Sequence, residues 1–203
     1  MKDINFNLLR DKAYEIARNN GLYDEEVSDI SYLILVIREL MKALKAYKIG
    51  NYTYENTTSY NMLLNLKNLR NRGTPTFRKY FEMYIKDSFE DKLADTVIRL
   101  LSFAGYRNFD VVPECLKTID IRNKSIPEHI FTMISKLSSN FYLPYRIDYC
   151  IKYIFNLCEC LGIDILWHID IKMSYNKLIE FEWNYALKFV VLMAGDNWHP
   201  LIW

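Results

Sequence analysis

Between Ser88 and Gly105 the chain reads SFEDKLADTVIRLLSFAG, with Asp91, Lys92, Asp95 and Arg99 at short helical steps along it. On a helix, residues three and four apart stand one above the other, so these charges form a ridge that Ser102 continues. Asp95 follows Leu93 and Ala94, where such a helix turns from surface to interior. A carboxylate there needs a partner, because an unpaired charge taken out of water is costly. Arg99 one turn on, Lys92 one turn back, a metal ion or a ligand held between helices would each serve. Earlier in the chain, Arg38-Glu39-Leu40-Met41-Lys42 offers another carboxylate flanked by cations.

The elements that position these residues are helical by pattern. Leu93, Val97, Leu100, Leu101 and Ala104 recur at the spacing of one buried helix face. A first helix is expected over 4 to 19, with Ile4, Leu8, Ala13, Ile16 and Ala17 inward and Asn19-Asn20-Gly21 as its stop. Asp24 is expected to cap a second helix over 26 to 48, whose Ile30, Leu33, Ile34, Ile37, Met41 and Leu44 mark it as the buried central helix. A third is expected over 77 to 106, bent near Ser88, and others over 127 to 138, 144 to 161 and 164 to 179. Pro127 suits a first helical turn. Residues 50 to 76 read as a polar insertion with a short helix over 62 to 69, and 181 to 203 as an aromatic extension in which 181 to 191 either continues the preceding helix or forms another. No segment shows sustained period-two alternation, so the fold class is all-α: one antiparallel helical bundle over 1 to 203.

Composition narrows the function. With 203 residues, 51% hydrophobic and 15% aromatic, the chain can bury a core, and a net charge of +1 gives no field to attract nucleic acid or an anionic membrane. The opening MKDINFNLLRDK is too charged for a secretory signal, and no apolar run is long enough for a membrane span, so a cytoplasmic protein is expected. Cys115, Cys150, Cys158 and Cys160 lack a zinc-ligand spacing and read as reduced structural thiols. There is no glycine-rich phosphate loop and no GxSxG nucleophile motif.

The run Asp91-Lys-Leu-Ala-Asp95-Thr-Val-Ile-Arg99-Leu-Leu101 resembles the second acidic helix of MazG-like nucleotide pyrophosphohydrolases, and Arg38 to Lys42 is similar to their first. A third stretch, Leu161-Gly-Ile-Asp164 through Lys172-Met-Ser-Tyr175-Asn176-Lys177, resembles the closing helix of that family. The resemblance implies an all-α fold and magnesium-dependent cleavage of nucleoside triphosphates to monophosphate and pyrophosphate. Glu39 and Asp95 match two of the family's acidic metal ligands, and Asp91, on the same face as Asp95, supplies a replacement oxygen. Arg38, Lys42 and Lys92 stand where the family carries acids.

Lysines at those places neutralise phosphate directly, as point charges. Lys42, Lys92, Arg99, Lys172 and Asn176 are therefore the expected nucleotide contacts, with magnesium binding weak or absent and no catalytic residue assigned. The reading is a nucleotide-binding protein in which hydrolysis is weak or lost, working as a homodimer. The alternatives are an active metal-dependent pyrophosphohydrolase and a non-catalytic helical scaffold for a protein partner.

Overall fold

The computed structural model describes residues 4–26, 28–53, 74–113, 119, 121 and 123–178. Among these residues there are seven helices and no strand. They are α1 (Phe6–Asn19), α2 (Asp29–Lys48), α3 (Thr74–Tyr84), α4 (Phe89–Tyr106), α5 (Ile126–Leu137), α6 (Leu143–Leu161) and α7 (165–178). None of them is long and apolar enough to cross a membrane. The expected helices at 62 to 69 and 181 to 191 lie outside the described residues, as do most of the insertion and all of the aromatic extension.

Local chemistry explains most boundaries. Asn5 caps α1 by accepting from the Leu8 amide, and α1 stops at Asn20 before Gly21, whose φ of 75° is the left-handed conformation that glycine adopts without strain. Ser28, not Asp24, caps α2, its hydroxyl accepting from the Ser31 amide. The expected bend near Ser88 is a full break: α3 ends at Tyr84, Asp87 takes a φ of 66°, and Ser88 starts α4 by accepting from the Asp91 amide. Ser125 and Glu128 form a reciprocal capping box ahead of Pro127 in α5.

The central element is α4. It packs against α1, α2 and α6, while α5 closes the bundle against α2 and α6. Leu93, Val97, Leu100, Leu101 and Ala104 are all in the core, as their spacing predicts. Gly105 lets α1 approach closely, since a Cβ placed there would stand 2.6 Å from the Tyr14 Cβ. Tyr23 stacks on Tyr106 and its hydroxyl pairs with Ser102, so the polar end of that aromatic cluster is satisfied.

The expectation that α2 is the buried central helix is corrected. It buries Leu33 as expected, but its other buried residues are Tyr32, Val36, Leu40, Ala43 and Ala46 together with Glu39, and it exposes Ile30, Ile34 and Met41. The helical period is right and the face is rotated, because two alanines and a paired glutamate occupy the inward stripe. A second, smaller apolar cluster joins Phe77, Phe81 and Ile85, on and just after α3, to Ile171 and Tyr175 on α7, with Phe81 and Tyr175 stacked.

Candidate functional site

All the sequence-predicted residues except Asn176 fall into two charged groups against α4. The first lies at its N-terminal end. Helix α7 begins at the Asp164 cap, which accepts from the Trp167 amide, and carries Lys172 inward to α4. The Lys172 Nζ stands 2.9 Å from Asp91 Oδ1 and 3.0 Å from Asp95 Oδ2. Its hydrogen bond runs to Asp91 Oδ2 at 3.2 Å, while the nearer Oδ1 lies off the hydrogen-bonding direction and is held by charge alone. The rings of Phe81 and Tyr175 lie 5.4 and 5.7 Å from the ammonium, adding cation–π attraction.

Lys92 completes this group. Its Nζ lies 2.6 Å from Asp87 Oδ1, 3.4 Å from Asp91 Oδ2 and 3.6 Å from Asp95 Oδ2. The Asp87 amide also donates to Asp91 Oδ2 at 2.9 Å, which fastens the turn between α3 and α4 to the same carboxylate. Burial on its own would lower both lysines, but the surrounding aspartates outweigh it and raise them, so both ammonium groups stay charged. Burial pushes the Asp91 carboxyl up, and the two ammonium groups act against that rise.

The second group surrounds Glu39, whose side chain is 1% exposed. Its Oε1 receives Lys42 Nζ at 3.2 Å, Arg99 Nε at 3.3 Å and Arg38 Nε at 3.5 Å. Three cations thus share one carboxylate oxygen, leaving two positive charges in excess within the group. Glu39 Oε2 is buried and has no hydrogen-bond partner among the described residues. Arg38 and Lys42 are about half exposed, with side-chain exposures of 53% and 46%, so an anion arriving from solvent can reach them.

Arg99 places the two groups on one side of α4, since it contacts Glu39 and stands one turn beyond Asp95. Glu39, Asp91 and Asp95 nevertheless do not converge on one point. Among the described residues, no three His, Cys, Asp or Glu side chains are arranged to hold a metal ion. The donor set does not suit magnesium, because the place between Asp91 and Asp95 is taken by an ammonium from the protein itself. Asn176 is half-buried and hydrogen-bonds to neither group among the described residues.

Two buried polar residues, Glu90 and His168, lie outside both groups; the sequence reads Glu90 as less well placed than Asp91 to supply an oxygen, and His168 as a helix-surface or satisfied interior histidine. Glu90 is fully buried, both of its oxygens 3.1 Å from the Thr53 amide, so it anchors the start of the 50 to 76 segment to α4. Its acidic type in a first helical turn was the available signal. His168, one turn before Lys172, is also buried, and its Nδ1 has no hydrogen-bond partner among the described residues. The thiols of Cys150 and Cys158 are buried and pushed up by burial, which suits structural cysteines, whereas Cys160 is exposed.

Replacing Lys172 with methionine keeps the volume and removes the charge, leaving Asp91 and Asp95 to Lys92 alone. The expected loss is about 3–5 kcal/mol of unfolding free energy in urea titration, the usual cost of breaking a buried pair on one side. Adding Asp95→Asn to that variant should recover part of the loss. A Lys172→Met protein as stable as the parent would remove the ion cluster from the account of the fold.

His168 gives a pH signature. Burial lowers its pKa to about 4, so between roughly pH 6.5 and 4 the unfolded chain binds a proton that the folded chain refuses. Relative to neutral pH, stability is unaffected above the unfolded value and falls as pH drops through that window, by roughly 3 kcal/mol in all. Urea titrations over that pH range should show this loss, and His168→Phe should flatten it.

No family model, no curated protein and no solved structure matches this chain.

Proposed function

We propose that this chain is a MazG-like nucleotide-binding protein that holds the phosphates of its ligand with its own cations and does not hydrolyse it. The observation that carries the reading is the group around Glu39, where Arg38, Lys42 and Arg99 bring three positive charges to a single buried carboxylate in the α2 and α4 seam, two of them from side chains that reach solvent. Two charges in excess are matched by a phosphate chain, and arginine adds forked donors suited to phosphate oxygens. The buried lysines play a different part in this reading. Lys92 and Lys172 are committed to aspartates, and a phosphate brought to them would meet three carboxylates, Asp87, Asp91 and Asp95, against two ammonium groups.

Loss of turnover follows from the same arrangement. Cleavage of a triphosphate in sites of this kind needs metal ions to neutralise phosphate oxygens and to generate hydroxide from water. With Lys172 between Asp91 and Asp95, those carboxylates are engaged. Arg38, Lys42 and Arg99 lend positive charge to the ligand and have no basic atom free to take a proton from water.

Calorimetric titration with a nucleoside triphosphate, with and without magnesium, tests this. Binding should be the same or weaker with magnesium, no pyrophosphate should be released, and Arg99→Ala or Lys42→Ala should weaken binding about tenfold or more, as expected for a charge-assisted contact. Magnesium-dependent cleavage by the unaltered protein would overturn the loss of hydrolysis. Absence of binding under all conditions would overturn the nucleotide reading and favour a scaffold.

A further inference from the structure

Three aromatic rings converge on one ammonium where α5 turns into α6. Phe141, in the turn before α6, and Tyr145 and Tyr149 on it follow one another at four-residue steps and stand ring against ring, 5.7 and 6.3 Å between centres. Lys136 Nζ, near the end of α5, lies 4.2 Å from the centre of the Phe141 ring, 5.2 Å from that of Tyr145 and 4.7 Å from that of Tyr149. Phe141 and Tyr145 are 57% and 37% exposed, and Lys136 is half-buried, so this cage opens to solvent on one side. Rings grouped around a single cation are the arrangement by which proteins recognise ammonium ligands.

The cage does not depend on the lysine that fills it. Arg146 Nη1 donates to the carbonyls of Leu137 and Ser139, at 2.7 and 3.0 Å, which holds the turn that carries Phe141. Tyr149 stands against Tyr153, a fully buried ring whose hydroxyl is 2.9 Å from His129 Nδ1. Met133 and Leu137 anchor the end of α5 in the core. Among the described residues the Lys136 ammonium makes no hydrogen bond and no ion pair, so its attraction to the rings is what keeps it there. A primary ammonium is strongly hydrated and has N–H donors that ring faces satisfy poorly. A quaternary ammonium has no N–H to satisfy, gives up its water more readily and gains more from the same three rings.

Charge decides the rest of the ligand. A bare cation that displaced Lys136 would leave two positive charges side by side. A ligand with an anion a few atoms from its quaternary nitrogen avoids this, because the displaced ammonium, on a flexible four-carbon stem, can follow that anion. We infer that the cage binds phosphocholine or a soluble zwitterion of the same build, its quaternary nitrogen against Phe141, Tyr145 and Tyr149 and its phosphate paired with the displaced Lys136. Lys136 is then the gate of the site as well as its anion contact. The inference does not depend on nucleotide binding, because it uses neither Glu39 nor the cations around it.

Proton magnetic resonance of phosphocholine titrated with the full chain tests it, since aromatic ring currents move the N-methyl signal upfield when the nitrogen sits over ring faces. The unaltered protein should produce that shift. Phe141→Leu and Tyr145→Leu, both at exposed positions, should each weaken binding about fivefold or more with unchanged helical circular dichroism, and the neutral analogue with carbon in place of the quaternary nitrogen should bind about tenfold more weakly or worse. Lys136→Ala should bind choline, which lacks the phosphate, more tightly than the unaltered protein does, and should lose the preference for phosphocholine over choline. No upfield shift, a neutral analogue or leucine variants that bind as well, or Lys136→Ala with the preference intact would overturn the inference. Competition by a nucleoside triphosphate would also overturn it, by placing the phosphate at the cations around Glu39. So would capture of the protein by phosphatidylcholine vesicles with no shift of the free ester, which would assign the rings to a membrane surface.

Discussion

The ammonium of Lys172 between the carboxylates of Asp91 and Asp95 is the interaction on which this structure turns. Three elements meet there. Helix α7 supplies the lysine, α4 supplies the two aspartates, and Phe81 from α3 and Tyr175 from α7 wall the ammonium off from water. A buried ion pair contributes little net stability over an apolar alternative of the same shape, since desolvation takes back most of the Coulombic gain. Its effect is on specificity: α7 is held in one register, because sliding it would strand a lysine and two aspartates in the interior. The smaller apolar cluster between α3 and α7 is not directional in this way, and the ion cluster fixes how it sits on α4.

The same interaction separates the two charged groups chemically. At the N-terminal end of α4, negative charge slightly exceeds positive, and every ammonium there is occupied. One turn beyond Asp95, Arg99 belongs to a group where positive charge exceeds negative and where two of the three cations reach solvent. A group with excess positive charge therefore borders a group whose charges are spent on one another. This division sets Lys42 and Arg99 in one charge environment and Lys92 and Lys172 in another, although sequence spacing alone treats the four alike.

Periodicity was enough to find the described helices, because each buries a stripe at its own spacing and most carry a capping serine, asparagine, aspartate or proline. It was not enough to orient α2. Long aliphatic side chains at Ile30, Ile34 and Met41 outweighed Ala43 and Ala46 in the reading of the pattern, and Glu39 does not advertise that three cations will bury it. Nor does local sequence place Lys172 against Asp91, since 81 residues separate them and no helical period spans that distance. The break at Ser88 was legible as a bend. Its sharpness depends on Asp87 adopting a positive φ, which its side chain tolerates better than most and which no periodicity signals.

Titration with manganese, followed by the electron paramagnetic resonance of the free ion, tests most directly whether a lysine holds the place between the two aspartates. The account predicts no tight site in the unaltered protein and new manganese binding in Lys172→Ala, abolished again by adding Asp95→Asn. Tight manganese binding by the unaltered protein that disappears on Asp95→Asn would contradict it, because the carboxylates would then be open to a metal.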